Sequence, residues 1–212
     1  MPLSVSLPAM SRAGVRRLLV ISGEADWCRR RAALAIAPLG DVTWCGSPAP
    51  TGCQMLSLAQ IRTVLGRELG HCVLDWHPGC HAEVLAALAG TLRAGSWLIL
   101  LTPPWSAWAK RPDDDSLRWS EREHPIATAN FVHHLQRTLS DADGVTLWRR
   151  GGVPGANAAG VFGVAGTGWR ADGAAAGDTA RTAYAGRRQC GAGSPRAWQV
   201  NPERHAGRRA AR

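Results

Sequence analysis

Lysine is almost absent from this 212-residue chain, where Lys110 stands alone against 24 arginines, and a single tyrosine and two phenylalanines contrast with ten tryptophans. No apolar run approaches the roughly 18 residues that span a bilayer, which excludes a membrane-crossing segment and any membrane partner that needs one. The start, M-P-L-S-V-S-L-P-A-M-S-R, lacks the charged n-region and long apolar h-region of a secretory signal. The cysteines, Cys28, Cys45, Cys53, Cys72, Cys80 and Cys190, lack the spacing of a disulfide framework. Reduced thiols and a cytoplasmic location are therefore expected. No G-x-G-x-x-G follows the first apolar run and no G-K-S or G-K-T occurs in frame, so the backbone cradle that phosphates need is missing.

Composition divides the chain. Residues 151–212 contain no Leu, Ile, Met or Lys, yet hold 13 of the 24 glycines. Such a stretch buries too little apolar surface to offset the entropy of ordering it, and a disordered, low-complexity Gly/Ala/Arg-rich tail is expected. The net charge of +9 divides unevenly, with 16 Lys+Arg against 13 Asp+Glu before Gly151 and 9 against 3 after it. The basic tail suggests an RNA-binding adaptor. Against that reading, Phe162, Trp169, Tyr184 and Trp198 are too scattered for a stacking platform and regular Arg-Gly repeats are missing.

The body reads as strands alternating with helices. Arg17–Ser22 is an apolar run typical of a strand buried on both faces. A helix capped by Asp26 follows to about Leu39, then a strand at Val42–Cys45 and a Pro/Gly-rich loop over Gly46–Gln54. Ser57 caps a helix bearing Leu58, Ile61 and Leu65 on one face, and Cys72–Asp75 is the third strand. Ala82–Arg93 is a helix stopped by Gly95, and Trp97–Leu101 is the most buried strand, ended by Pro103 and Pro104. A long loop to His124, a helix over Ala127–Leu139 and a strand at Val145–Trp148 complete the body. The expected fold is α/β, an open, mostly parallel sheet of about five strands with helices on both faces, Rossmann- or flavodoxin-like. The domains are a leader at 1–11, the α/β body at 12–150 and the tail at 151–212.

Candidate sites are few. Ser22, Gly23 and Glu24 after the first strand, with Asp75 closing the third, lie where open α/β sheets bind ligands and are the best pocket candidates of a small stand-alone nucleotide or ligand binder. Turn formation and helix entry are the favoured roles. His71, Cys72, His77, Cys80 and His81 include zinc-ligand types, but Cys72 belongs to a strand and no second C-x-x-C completes four ligands. Nothing marks a low-pKa thiol beside a base. Asp113, Asp114 and Asp115 read as a solvated loop tip rather than a cation site. Trp105, Trp108 and Trp119 flank that loop and are expected to pin it to the body, or to a neighbouring module. His133, His134 and Arg137 suggest an exposed basic helix face. No catalytic, cofactor-binding or metal-ligating residue is assigned.

Five segments carry a resemblance: R-R-L-L-V-I-S-G-E (Arg16–Glu24), L-G-R-E-L-G-H (Leu65–His71), G-T-L-R-A-G-S-W-L-I-L-L-T-P-P-W (Gly90–Trp105), D-S-L-R-W-S (Asp115–Ser120) and P-I-A-T-A-N-F-V-H-H-L (Pro125–Leu135). Together they resemble the N-terminal domain of the bacterial tRNA(Met) cytidine acetyltransferases, over about residues 12–150. The resemblance implies that the full-length protein acetylates N4 of the wobble cytidine of elongator tRNA(Met), using acetyl-CoA and ATP or GTP hydrolysis. It also implies that the ATPase and acetyltransferase modules lie beyond this segment, leaving a non-catalytic scaffold that holds no cofactor.

The tail permits a further reading. Trp198 is encoded only by TGG and Gln199 only by CAA or CAG, so moving one base forward gives Gly followed by Lys or Arg. Extended over Gly193–Ala206, permitted codons spell a string containing R-G-R-G-K-S, and Ala185–Gly193 permits P-G-V. These strings resemble the Walker-type loop that follows in the family. A one-base insertion or two-base loss near the codons for Arg150–Ala165 is thus expected to have truncated a longer enzyme, with GC-rich coding accounting for the arginines.

Overall fold

The computed structural model describes residues 3–46 and 48–150, together with the backbone of Trp169–Arg170. Six strands form one parallel sheet: β1 (Val15–Ser22), β2 (Val42–Cys45), β3 (Gln54–Leu56), β4 (His71–Asp75), β5 (Trp97–Thr102) and β8 (Val145–Arg149), in the order β3-β2-β4-β5-β1-β8. The register aligns Val20 with Leu100 and Leu147, and Leu74 with Leu100. The middles of β1, β4 and β5, Leu18–Ile21, Cys72–Leu74 and Trp97–Leu101, are continuously apolar because both faces are covered, so the usual polar alternation is missing there.

Alternate residues along these strands feed two separate cores, as the two-residue strand period requires. Leu19, Ile21, Val73, Ile99 and Leu101 face helix α2 (Ala25–Ile36) through its Cys28, Ala32 and Ile36. Val20, Cys72, Leu74, Leu98 and Leu100 face the opposite layer. That layer comprises a 3-10 helix at Leu58–Val64 and the helices α3 (Ala82–Thr91) and α4 (Ala129–Asp141).

Four differences from the sequence reading stand out. The segment read as a leader holds a 3-10 turn at Leu3–Ser6 and helix α1 (Leu7–Arg12), and Leu3 and Met10 are buried in the α2-side core. Trp97 Nε1 donates to the Leu3 carbonyl at 3.3 Å, tying that segment to β5. The loop over Gly46–Gln54 runs into β3, making six parallel strands rather than five. The helix after Ser57 is a 3-10 helix in which Ile61 and Val64 are buried while Leu65 is exposed. The long loop carries 3-10 turns at Trp108–Lys110 and Asp114–Arg118, and a short antiparallel pair, β6 (Pro112–Asp113) with β7 (Ile126–Ala127).

Gly95 adopts the left-handed conformation expected of it, φ +82°, although α3 itself ends at Thr91. The tail expected over 151–212 lies outside the described residues, apart from β9 (Trp169–Arg170), whose backbone pairs antiparallel with Val15–Arg16. No helix among the described residues is long and apolar enough to cross a membrane.

Candidate functional site

All six parallel strands end at one edge of the sheet. β1 leads through α2 to β2 on one side, and β5 leads through the long loop and α4 to β8 on the other. The β1–β5 junction is therefore the topological switch point, the usual ligand crevice of such sheets. The structure does bring Ser22, Gly23 and Asp75 together there, and adds two side chains the sequence reading did not place with them, Arg29 and His77.

These groups satisfy one another. The Asp75 carboxylate is fully buried and accepts from Arg29 Nε at 2.9 Å and the His77 amide at 3.0 Å, and His77 Nδ1 lies 2.6 Å from it. His77 Nε2 lies 3.0 Å from the Gly23 carbonyl, so the ring bridges the end of β4 and the turn after β1. Ser22 Oγ donates to the Pro103 carbonyl at 2.7 Å, and the Gly23 amide to Thr102 O at 3.1 Å. A Cβ at Gly23 would lie 2.8 Å from the Trp27 ring, so the backbone cannot be crowded further. Glu24 is the residue preceding α2 and makes no side-chain cap, although its carboxylate lies 3.7 Å from Arg111. The Asp75 carboxylate and both ring nitrogens of His77 thus have partners within the protein. Thr102 Oγ1 and Trp76 Nε1 have no hydrogen-bond partner at this edge, and both side chains are sealed from solvent.

The remaining candidates separate. His71 accepts the Trp97 amide at Nδ1, 3.0 Å, and burial, aided by the Arg93 charge and opposed by Asp41, holds its pKa below the usual value. His81 Nδ1 meets Asp115 at 2.7 Å, far from the His77 pairing. Among the described residues, no group of three or more His, Cys, Asp or Glu is arranged to hold a metal ion. Burial pushes the thiols of Cys28, Cys72 and Cys80 up to about 12 and that of Cys45 to about 11, so none is a thiolate near neutral pH.

The acidic run is not a solvated tip. Asp113 and Asp115 are buried and only Asp114 is exposed. Asp113 accepts from the Cys80 amide (2.9 Å), the Asp115 amide (3.1 Å) and Thr128 Oγ1 (2.9 Å), joining the β4–α3 turn to the start of α4. Asp115 receives Arg118 through Nε and Nη2 as well as His81. Burial raises its pKa, but the hydrogen bonds from Arg118 and His81 and their charges outweigh that, leaving it below the usual carboxylate range. A run of three aspartates gives no hint of this, because Cys80 and His81, which fix Asp113 and Asp115 to the body, lie 33 and 34 residues away in sequence.

Trp108 is buried against Trp76 and Trp105, with ring centroids 6.2 and 5.9 Å apart, and so pins the loop to the body as expected. Trp105 is half-buried under the Arg149 guanidinium at 5.1 Å. Trp119 is 56% exposed and, with Phe131, lines a groove of about 440 Å³ whose floor is Cys80, Asp113 and Thr128. His133 and Arg137 line a second, polar surface depression with Trp105, Gln136 and Asp141, and His134 is exposed beside it. Phe131 was not singled out in the sequence; its place three residues before the exposed His134, in a helix whose Val132 and Leu139 are buried, was the available signal.

The chain was compared with known proteins. The family described as "tRNA(Met) cytidine acetyltransferase TmcA, N-terminal" matches residues 2–150. A tRNA(Met) cytidine acetyltransferase TmcA of Pectobacterium atrosepticum is 50% identical over 141 residues, covering 66% of this chain and 20% of that protein. The Yersinia pestis protein of the same name is 50% identical over 151 residues, covering 70% and 22%. The one from Haloarcula marismortui is 30% identical over 142 residues, covering 64% and 18%. The chain thus spans about a fifth of the length of these relatives. The α/β body of this chain belongs to the N-terminal domain family of the tRNA(Met) cytidine acetyltransferases.

Proposed function

We propose that this chain supplies the N-terminal scaffold and interaction module of a tRNA(Met) cytidine acetyltransferase, and that residues 3–150 hold no catalytic centre. One observation carries the reading: at the switch point, where a ligand would be expected, Asp75, His77, Arg29 and the Gly23 carbonyl pair with one another, and Ser22 Oγ pairs with the Pro103 carbonyl. A nucleotide seated there would have to strip a buried carboxylate of its donors, and no glycine-rich phosphate loop follows β1 to replace them.

In the intact enzyme the acetyl transfer to cytidine N4, the acetyl-CoA site and the ATP or GTP hydrolysis belong to the part of the protein beyond this domain. Its tRNA(Met) partner is engaged by the whole assembly, in the cytoplasm, where the buried thiols stay reduced. The domain contributes a rigid sheet with two covered faces and an edge locked by its own side chains.

The purified chain, incubated with tRNA(Met), acetyl-CoA and ATP or GTP, is expected to form no acetylcytidine and to release no phosphate above a blank. Turnover that scales with protein concentration and disappears in Asp75→Asn would overturn the scaffold reading.

A further inference from the structure

Four of the large apolar side chains left exposed, Leu117, Trp119, Ile126 and Phe131, come from one stretch, the second half of the β5–α4 loop and the first turn of α4. Trp119 and Phe131 line the same groove with Ala82, Ala127 and Ala129, and Ile126 adjoins Ala127. Their exposure is not that of a loose loop. Asp113 ties the middle of the loop to the Cys80 amide and to Thr128 before α4, Asp115 holds Arg118 beside Trp119, and the Ile126 amide donates to Ser116 Oγ at 2.9 Å. A Cβ at Gly79 would fall 2.7 Å from the Asp115 amide, so the turn beneath is packed to contact. An aromatic pair beside three alanines, on a loop braced by buried carboxylates, is a preorganised anchor site, because little loop entropy is left to lose on docking.

We infer that this groove is the docking site for the polypeptide that follows the N-terminal domain in the longer members of the family, which inserts apolar side chains between Trp119 and Phe131. The inference rests on the scaffold reading and names the surface through which the scaffold acts. Two observations select this occupant. The match covers 20% of the Pectobacterium relative, leaving 80% of that chain to be accommodated against or beside the domain. The matched segment also ends at the correct edge: Arg150 donates its amide to Ser22 O at the carboxyl ends of the strands. The groove is built there too, from the N-termini of α3 and α4, which begin at that edge and run back toward the start of the next strand. The end of β8 and the groove therefore lie at the same edge of the sheet.

The test uses the full 212-residue chain and the segment of the Pectobacterium atrosepticum relative that follows its matched region, prepared as a protein with a cooperative melt. Their dissociation constant is measured by calorimetry for the native chain, Trp119→Ala and Phe131→Ala, with Leu34→Ala and Met55→Ala as exposed apolar controls elsewhere on the surface. The expected result is binding weakened about tenfold or more by each groove variant and unchanged by the controls, with all four variants melting like the native chain. Binding that survives both groove variants overturns the groove while leaving the scaffold reading in place. No complex at all overturns the scaffold reading with it. A concentration-dependent dimer of this chain that Trp119→Ala abolishes assigns the groove to a second copy and also overturns the inference.

Discussion

Asp113 accepts two buried backbone amides and the half-buried Thr128 hydroxyl, so removing its carboxylate leaves the Cys80 and Asp115 amides without an acceptor. Each stranded group costs roughly 1–3 kcal/mol, and Asp113→Ala should lower the unfolding free energy by about 3 kcal/mol in a urea titration; a loss below about 1 kcal/mol would mean that the loop is not held by this residue. Asp115 and His71 give the molecule an acid sensitivity of known sign. Asp115 has a lowered folded pKa, so its contribution is present above the unfolded carboxylate value and lost as pH falls through the folded one. His71 is also lowered, by burial first, so protonation favours the unfolded chain; its contribution is complete above about 6.5 and declines as pH falls below that. Stability measured between about pH 7.5 and 5.5 should therefore fall in the native chain, and the slope should flatten in His71→Asn, whose carbonyl can still accept the Trp97 amide but does not titrate in that range. An unchanged slope would remove His71 from the explanation.

At the level of elements, the central strands carry the fold. Leu100 is fully enclosed between β4 and β1 on the face packed by α3 and α4, and Leu100→Ala should cost about 3 kcal/mol, through lost burial and the cavity left behind. A cost under 1 kcal/mol would contradict the two-core description. β1, β4 and β5 were legible in the sequence because burial on both faces makes their apolar residues continuous. α3 and α4 were legible to within two residues at each end, α3 with Gly95 as its stop signal. β3 was not, since Gln54 and Met55 are exposed and the segment is embedded among prolines and glycines. Leu58, Ile61 and Val64 recur every third residue, which suits a 3-10 helix; reading Leu65 in place of Val64 turned the same stretch into an α-helical face. Leu3 and Met10 pack through tertiary contacts alone, which no local pattern at the N-terminus reveals. The switch-point residues were placed correctly as neighbours, whereas the pairing that occupies them was hidden, because Arg29 lies 46 residues and Gly23 54 residues from the groups they bind.

As a whole molecule, the described part is a family domain that keeps the sheet of a ligand-binding α/β protein and closes its crevice with its own charges. Trp119 and Phe131 leave an open groove on the loop side. The most direct measurement of this arrangement is the thermal unfolding midpoint of the 212-residue chain with saturating ATP, GTP or acetyl-CoA, since any ligand that binds only the folded state must raise it. No rise with any of the three is the expected result. A rise of several degrees with one of them, lost in Asp75→Asn, would show that the crevice opens to a ligand and would contradict the scaffold proposal.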